Sequence, residues 1–254
     1  MLARTAVAML LGLSLTPALV AQSPVSSGPA PVKWSGYLQA RETYQRHIGL
    51  TASINRARLS AAGSVGPSLA WRVQGEFRTG TVGTGRASVS LQDAYIRYTR
   101  GDWSIQAGQF KTPFTREFVT SLSEVETADR STVVDSLAPK RDIGLMGEYA
   151  AGTLLTISVG AFNGEGQNVT GNGDSTVLGV SRVVVRPIPV IAIGVNGASY
   201  FGDSTRYGAD VNYEGPRLTL RAEYVAQHRN GSGLDDDEGW FGLGAFAAVP
   251  AVQL

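Results

Sequence analysis

The 254-residue chain carries 22 Lys plus Arg against 21 Asp plus Glu, has no cysteine and is 43% apolar. The missing cysteine excludes a disulfide framework and a thiolate metal site. Hydropathy averages near zero and no run of about 18 apolar residues follows the N-terminal segment, so no membrane helix is expected.

The first 21 residues read as a signal peptide. Arg4 gives a positive start, Ala6 to Leu15 is apolar, and Ala18-Leu19-Val20-Ala21 offers a small residue for cleavage before Gln22. As a transmembrane anchor the segment is too short, and Pro17 ends it. Residues 22–32, rich in Ser, Pro and Gly, form a flexible lead-in. Residues 33–254 read as one β domain.

Runs of alternating apolar and polar residues then fall near 33–43, 53–63, 68–78, 89–99, 103–110, 142–150, 153–162, 177–186, 190–200, 206–214, 217–227 and 239–248. In the third, Leu69, Trp71, Val73, Gly75 and Phe77 share one face, and Ala70, Arg72, Gln74, Glu76 and Arg78 the other. Turn chemistry marks Gly66-Pro67, Gly101-Asp102, Ala151-Gly152, Pro187-Ile188-Pro189 and Gly215-Pro216. Between these lie longer connections at 44–52, 79–88, 111–141, 163–176, 201–205 and 228–238. Short and long alternate along the chain, the rhythm of short turns and long loops in an antiparallel transmembrane β-barrel. About 12 strands are expected, with apolar side chains toward lipid and a polar lumen.

Charge is segregated. Three lysines accompany 19 arginines, and from Lys33 to Arg116 twelve basic residues face four acidic ones, whereas from Glu117 to the end nine face seventeen. Arg56 and Arg58 project from one side of their strand, opposite Ala57, Leu59 and Ala61. Arg72 and Arg78 share the polar face of the next, and Arg97 joins Asp93 and Tyr95 on the one after. An arginine facing lipid at mid-bilayer costs ~2–4 kcal/mol, so these five are expected to line the lumen and guide anions. The alternative is that they stiffen the wall as salt bridges with Glu76, Asp93 and Glu148.

The longest connection holds Lys111, Arg116, Arg130, Lys140 and Arg141, with Phe114, Phe118 and Val119 as apolar groups that need a partner. It is expected to pack inside the barrel as a constriction, with a short helix over 117–129. The acidic run Asp235-Asp236-Asp237-Glu238 suits a solvated loop tip or a bridge to cations bound by lipopolysaccharide. His47 and His228 have no metal-site spacing, and no catalytic constellation stands out. Neither an enzyme, a cofactor, a metal nor a nucleic-acid partner is expected.

Two stretches, Leu91-Gln92-Asp93-Ala94-Tyr95-Ile96-Arg97-Tyr98 and Gln106-Ala107-Gly108-Gln109-Phe110-Lys111-Thr112-Pro113-Phe114, resemble the phosphate-selective porin O and P family. So does Leu137-Ala138-Pro139-Lys140-Arg141-Asp142-Ile143-Gly144, with weaker echoes at Ala57-Arg58-Leu59, Phe162-Asn163-Gly164 and Ala222-Glu223-Tyr224. The resemblance covers roughly residues 34–245. It implies a sixteen-stranded barrel in the bacterial outer membrane, reached through the periplasm, usually homotrimeric, with the third loop folded into the pore. It also implies a passive channel for phosphate or other small anions, in contact with outer-membrane lipid and lipopolysaccharide. Arg56, Arg58 and Arg97 would then belong to the wall, and Lys111, Arg116, Lys140 and Arg141 to the constriction. Two departures are the roughly twelve strands and Leu254 in place of a terminal aromatic residue. They leave a truncated, non-conducting remnant and an exported soluble β-protein or adhesin as alternatives.

Overall fold

A computed structural model describes residues 31–78, 85, 87–127, 129–173, 175–231 and 236–247. The expected signal peptide lies outside the described residues, as does nearly all of the lead-in. Twelve strands follow one another: β1 Lys33–Gln45, β2 Gly49–Val65, β3 Leu69–Arg78, β4 Ser88–Arg100, β5 Trp103–Lys111, β6 Arg141–Ala151, β7 Leu155–Phe162, β8 Leu178–Ile188, β9 Ile191–Tyr200, β10 Ser204–Glu214, β11 Leu218–Arg229 and β12 Asp237–Phe246. Two short helices, α1 Arg116–Val119 and α2 Thr132–Leu137, interrupt the connection between β5 and β6. The fold class is all-β and antiparallel, as period-two alternation requires, and each expected run coincides with one strand.

The chain divides into two compact units, one ending at Gln92 and one starting at Asp93. In the first, β1, β2 and β3 pair as an antiparallel meander, with a register shift between Gln39 and Ala40. In the second, successive strands from β4 to β12 pair in the same way. Gly108 is needed where β5 meets β4. It has φ +124°, and a Cβ there would sit 2.2 Å from the carbonyl oxygen of Ala94.

Sidedness is inverted relative to a water-soluble sheet. In the first unit Leu38, Leu59, Val73 and Phe77 are exposed while Arg58, Ser60, Gln74 and Glu76 are buried. In the second, Ile105, Leu145, Val159, Val195, Val211 and Leu220 are exposed, and Gln106, Ser158, Arg182, Asn196, Asp210 and Glu223 are buried. Trp34, Trp103 and Trp240 are also exposed, the first two at strand starts, where interfacial aromatic girdles sit.

Two connections expected to be long are tight turns. The chain reverses at residues 46–48 rather than 44–52, because β1 and β2 stay paired from Gln45↔Gly49 onward and His47 (φ 80°) and Gly49 (φ 92°) supply the left-handed backbone. Likewise the bend at 201–203 turns on Gly202 (φ 95°). The alternation of short and long therefore fails at these two places.

The helix expected over 117–129 is reduced to the single turn of α1, which ends at Val119. Thr115, at φ 52°, caps α1 by accepting the Phe118 N–H on Oγ1 (3.1 Å), and Thr120 turns extended and stops it after one turn. The second helix starts later, with Ser131 as its cap. Thr112 Oγ1 donates to the Pro139 carbonyl at 2.9 Å and ties the two ends of the connection together. Phe114, Phe118, Val134, Leu137 and Ala138 from this loop form one buried cluster with Phe110, Met146, Phe162, Leu178, Val180, Ala198 and Val225 from the strands. Each fully buried large side chain contributes about 1.5–3 kcal/mol. Val119 departs from expectation: as the last residue of α1 it stays exposed.

Candidate functional site

The polar face of the first unit is built around Glu76. Arg58 on β2 lies directly opposite it on β3 and donates through Nε at 2.5 Å. Arg78, two residues along β3, donates to the other carboxylate oxygen at 2.5 Å while keeping most of its side chain in solvent. Tyr37 on β1 pairs in register with Arg58, whose guanidinium lies 5.9 Å from the ring centroid. A cation over an aromatic face is favourable, so three strands are stitched by one row. Nearby, Arg56 donates to Gln39 Oε1 at 2.9 Å and Arg72 to Ser60 Oγ at 3.3 Å.

On the second unit, Arg97 donates to Gln106 across the ladder at 2.8 Å and approaches Glu148 at 3.7 Å. Arg141, where the long loop re-enters β6, is buried against Asp93 at 2.8 Å. Ion pairs thus engage Glu76, Asp93 and Glu148, the three acids named as alternative partners from sequence.

The loop from Thr112 to Lys140 lies on the polar face of β10 and β11, which its own charges hold. Arg116 reaches Glu214 at 3.3 Å, and Arg221 reaches both Glu214 (2.9 Å) and Glu126 (2.8 Å through Nε). Glu117 donates its backbone N–H to Glu223 Oε1 at 2.6 Å. The Glu117 carboxylate in turn accepts from the N–H and hydroxyl of Ser131 at 3.0 and 2.7 Å, so it anchors the start of α2. Lys111 and Arg130 close the end of α1. Lys111 donates to the carbonyls of Val119 (3.2 Å) and Thr120 (2.6 Å), and Arg130 to those of Glu117, Phe118 and Thr120 at 3.2–3.3 Å. Both cations flank the Phe118 ring. Lys140 pairs with Asp135 at 3.2 Å. Of the five cations expected at the constriction, Arg116, Arg130 and Lys140 within the loop and Lys111 at the end of β5 therefore hold the loop together or to a strand. The fifth, Arg141, locks its exit.

Residues that sequence reasoning missed lie on β8 to β11. Arg182 and Asp210 form a buried pair at 2.6 Å although β9 lies between them. Gly194 on β9 makes this contact possible, because a Cβ there would fall 2.6 Å from Arg182 Nη2 and 2.5 Å from Asp210 Oδ2. Asn212 donates to Asp210 Oδ1 at 3.1 Å, and Glu223 stands in register opposite Asp210. The alternation Asp210, Asn212, Glu214 and Arg221, Glu223 was the available signal for this face. The acidic residues at and just before the start of β12 face partners on β11. Asp236 faces His228 at 2.9 Å, Asp237 meets Arg229 at 2.5 Å, and Glu238 accepts from Tyr224 at 2.5 Å; Asp235 lies outside the described residues. Among the described residues no group of three or more His, Asp or Glu is placed to hold a metal ion. No helix among them is long and apolar enough to cross a membrane, which says nothing of strands.

Inverted sidedness and a loop packed on the polar face define an outer-membrane β-barrel protein of the porin type. The chain belongs to the phosphate-selective porin O and P family, whose sequence model matches residues 34–237, and its location is the bacterial outer membrane. No curated protein matches it. Solved structures similar to it include OccAB4 of Acinetobacter baumannii, at 10% identity and TM-score 0.48 over 85% of this chain and 63% of that one. OpdL of Pseudomonas aeruginosa follows, at 11% identity and TM-score 0.44 over 80% and 56%. The trimer form of OmpT from Vibrio cholerae has 16% identity and TM-score 0.39 over 84% and 82%. The chain spans less than two thirds of the length of OccAB4 and OpdL.

Proposed function

We propose that the protein is a passive outer-membrane diffusion channel that prefers small anions, phosphate among them, and that it has no enzymatic activity. The observation that carries this reading is the buried, charged polar face opposite an exposed apolar one, the sidedness of a wall between lipid and a watery lumen. Anion preference rests on the first unit. Its described residues carry Lys33, Arg41, Arg46, Arg56, Arg58, Arg72 and Arg78 against Glu42 and Glu76. Excess fixed charge concentrates counter-ions near it, most strongly at low salt. In this reading Arg56, Arg58, Arg72, Arg78 and Arg97 form the wall. The loop bearing Lys111, Arg116, Arg130, Lys140 and Arg141 sets the narrow point, as a rigid body whose cations act mainly as its scaffold. Outer-membrane lipid and lipopolysaccharide are the surroundings, and a homotrimer is the proposed assembly, to be checked by cross-linking in detergent.

The test is planar-bilayer conductance of refolded protein under a salt gradient, comparing the parent with Arg56→Glu. Arg56 is only half-buried, so a reversed charge there is tolerated better than at buried Arg58. The reversal potential is expected to move toward cation preference, further at low salt than at high. An inserted protein without conductance would end the channel reading. Conductance with an unmoved reversal potential would end the anion reading alone.

A further inference from the structure

The short turns on one side of the second unit carry three exposed arginines. Arg100 ends β4 ahead of the turn into β5, Arg186 lies at the turn-side end of β8, and Arg217 immediately precedes β11. Among the described residues none of the three has a side-chain hydrogen bond, ion pair or ring contact. The acids on this rim are Asp102, exposed and likewise without a partner among the described residues, and Glu214, which Arg116 and Arg221 already hold. At the loop side of the same unit the exposed cations are matched. Lys140 meets Asp135, His228 meets Asp236 and Arg229 meets Asp237.

Each of these arginines also stands beside an exposed apolar residue. Arg100 is in register with Trp103 and Trp103 with Tyr149, so the three share the side of the sheet that bears exposed Tyr98 and Ile105. The Trp103 and Tyr149 rings lie 4.7 Å apart. The Arg186 N–H donates to the carbonyl of exposed Leu154, and the Arg217 carbonyl accepts from Ala247, next to exposed Phe246. An arginine at the end of a barrel strand lays its aliphatic stem on the apolar surface and lifts its head to the level of the lipid headgroups. There it costs only ~0–1 kcal/mol, against ~2–4 kcal/mol at mid-bilayer. Three unpaired cations against one unpaired acid leave this rim positive, and a positive rim favours headgroups of net negative charge.

We infer that the turn-side rim of the second unit is an interaction surface for anionic glycerophospholipid. Phosphate oxygens accept from the guanidinium forks of Arg100, Arg186 and Arg217, while the acyl chains lie against Trp103, Leu154 and Phe246. The arginines belong to β4, β8 and the start of β11. At about 5 Å per strand they stand on the order of 15–20 Å apart along the rim, so each takes its own headgroup. Short turns of outer-membrane barrels face the periplasm, which sets this rim in the phospholipid leaflet rather than among lipopolysaccharide. The inference rests on the outer-membrane location and does not depend on conduction.

Native mass spectrometry of the full chain, folded in detergent, tests the surface. The probe is an equimolar mixture of phosphatidylglycerol and phosphatidylcholine with identical acyl chains. Among the first lipids bound, phosphatidylglycerol should lead about fivefold, and the lead should shrink as salt rises. Replacing Arg100, Arg186 and Arg217 together by glutamine should bring the ratio close to one. Arg229→Gln, at the loop side, should leave it at the parental value. All three arginines are exposed, so the triple variant should keep the parent's gel mobility without boiling. If it does not fold, Asp102→Asn decides the matter: it removes the unpaired acid and should raise the ratio. The surface is refuted if the parent takes both lipids equally, if the folded triple variant keeps the parental ratio, if Arg229→Gln lowers the ratio as far as the triple variant does, or if Asp102→Asn leaves it unmoved.

Discussion

In the strands before Gln92, two arginines converge on the single acid Glu76; in the unit after Asp93, Glu117 and Glu223 are met by backbone N–H groups of the long loop. The difference follows from where spare donors exist. Backbone N–H groups in a sheet are consumed by the ladder, so a carboxylate buried on a strand wall can be satisfied only by side chains. A loop with two helix starts brings N–H groups that no ladder uses, and these serve carboxylates without any cation. Bare wall therefore demands arginine, whereas loop-backed wall tolerates acids.

The largest expected effect breaks the loop-backed side. Phe114→Ala removes a wholly buried ring from the cluster under the loop and should cost about 3–5 kcal/mol. Urea unfolding in detergent would measure it, and protease should cut near Arg130 in the variant while sparing the parent. On the bare wall, Glu76→Gln leaves buried Arg58 without its counter-ion and should cost about 3 kcal/mol in the same unfolding measurement. Glu223→Gln sharpens the contrast. The amide oxygen can still accept from the Glu117 N–H, so the loss should be about 1 kcal/mol or less. If Glu223→Gln proved as costly as Glu76→Gln, backbone donors would not be what holds the acids on this side.

The smallest effect lies in the connection before β12. The hydrogen bond from His228 holds the Asp236 carboxyl below its ordinary range. A depressed carboxylate stabilises the fold above its unfolded pKa, and that contribution is lost as pH falls through the folded value. Amide protection at residues 228–231, 236 and 237, corrected for the intrinsic pH dependence of exchange, should therefore hold down through the ordinary carboxylate range and fall only below it. His228→Gln should start that loss of protection at higher pH.

Period-two alternation was enough to place all twelve strands, because a wall with lipid on one side and polar groups on the other repeats its pattern in every strand. Hairpin length was not legible at 46–48, since Arg46 and His47 are as polar in a tight turn as in a loop. Glu117 misled more deeply. It does lie in the first turn of a helix, but that helix is one turn long: its carboxylate serves Ser131 and its N–H serves Glu223, more than a hundred residues away. Contacts of that separation leave no local period. The Arg182–Asp210 pair was hidden for a related reason: it needs the register of three strands and the empty place at Gly194.

That empty place also makes residues 182, 194 and 210 a single unit of inheritance. A methyl group at 194 would part the two charges, so Gly194→Ala should be harmful while both are present and much milder once Arg182 and Asp210 have become apolar together. The order in which substitutions arise along this stretch is therefore constrained: the charges must leave before the glycine can.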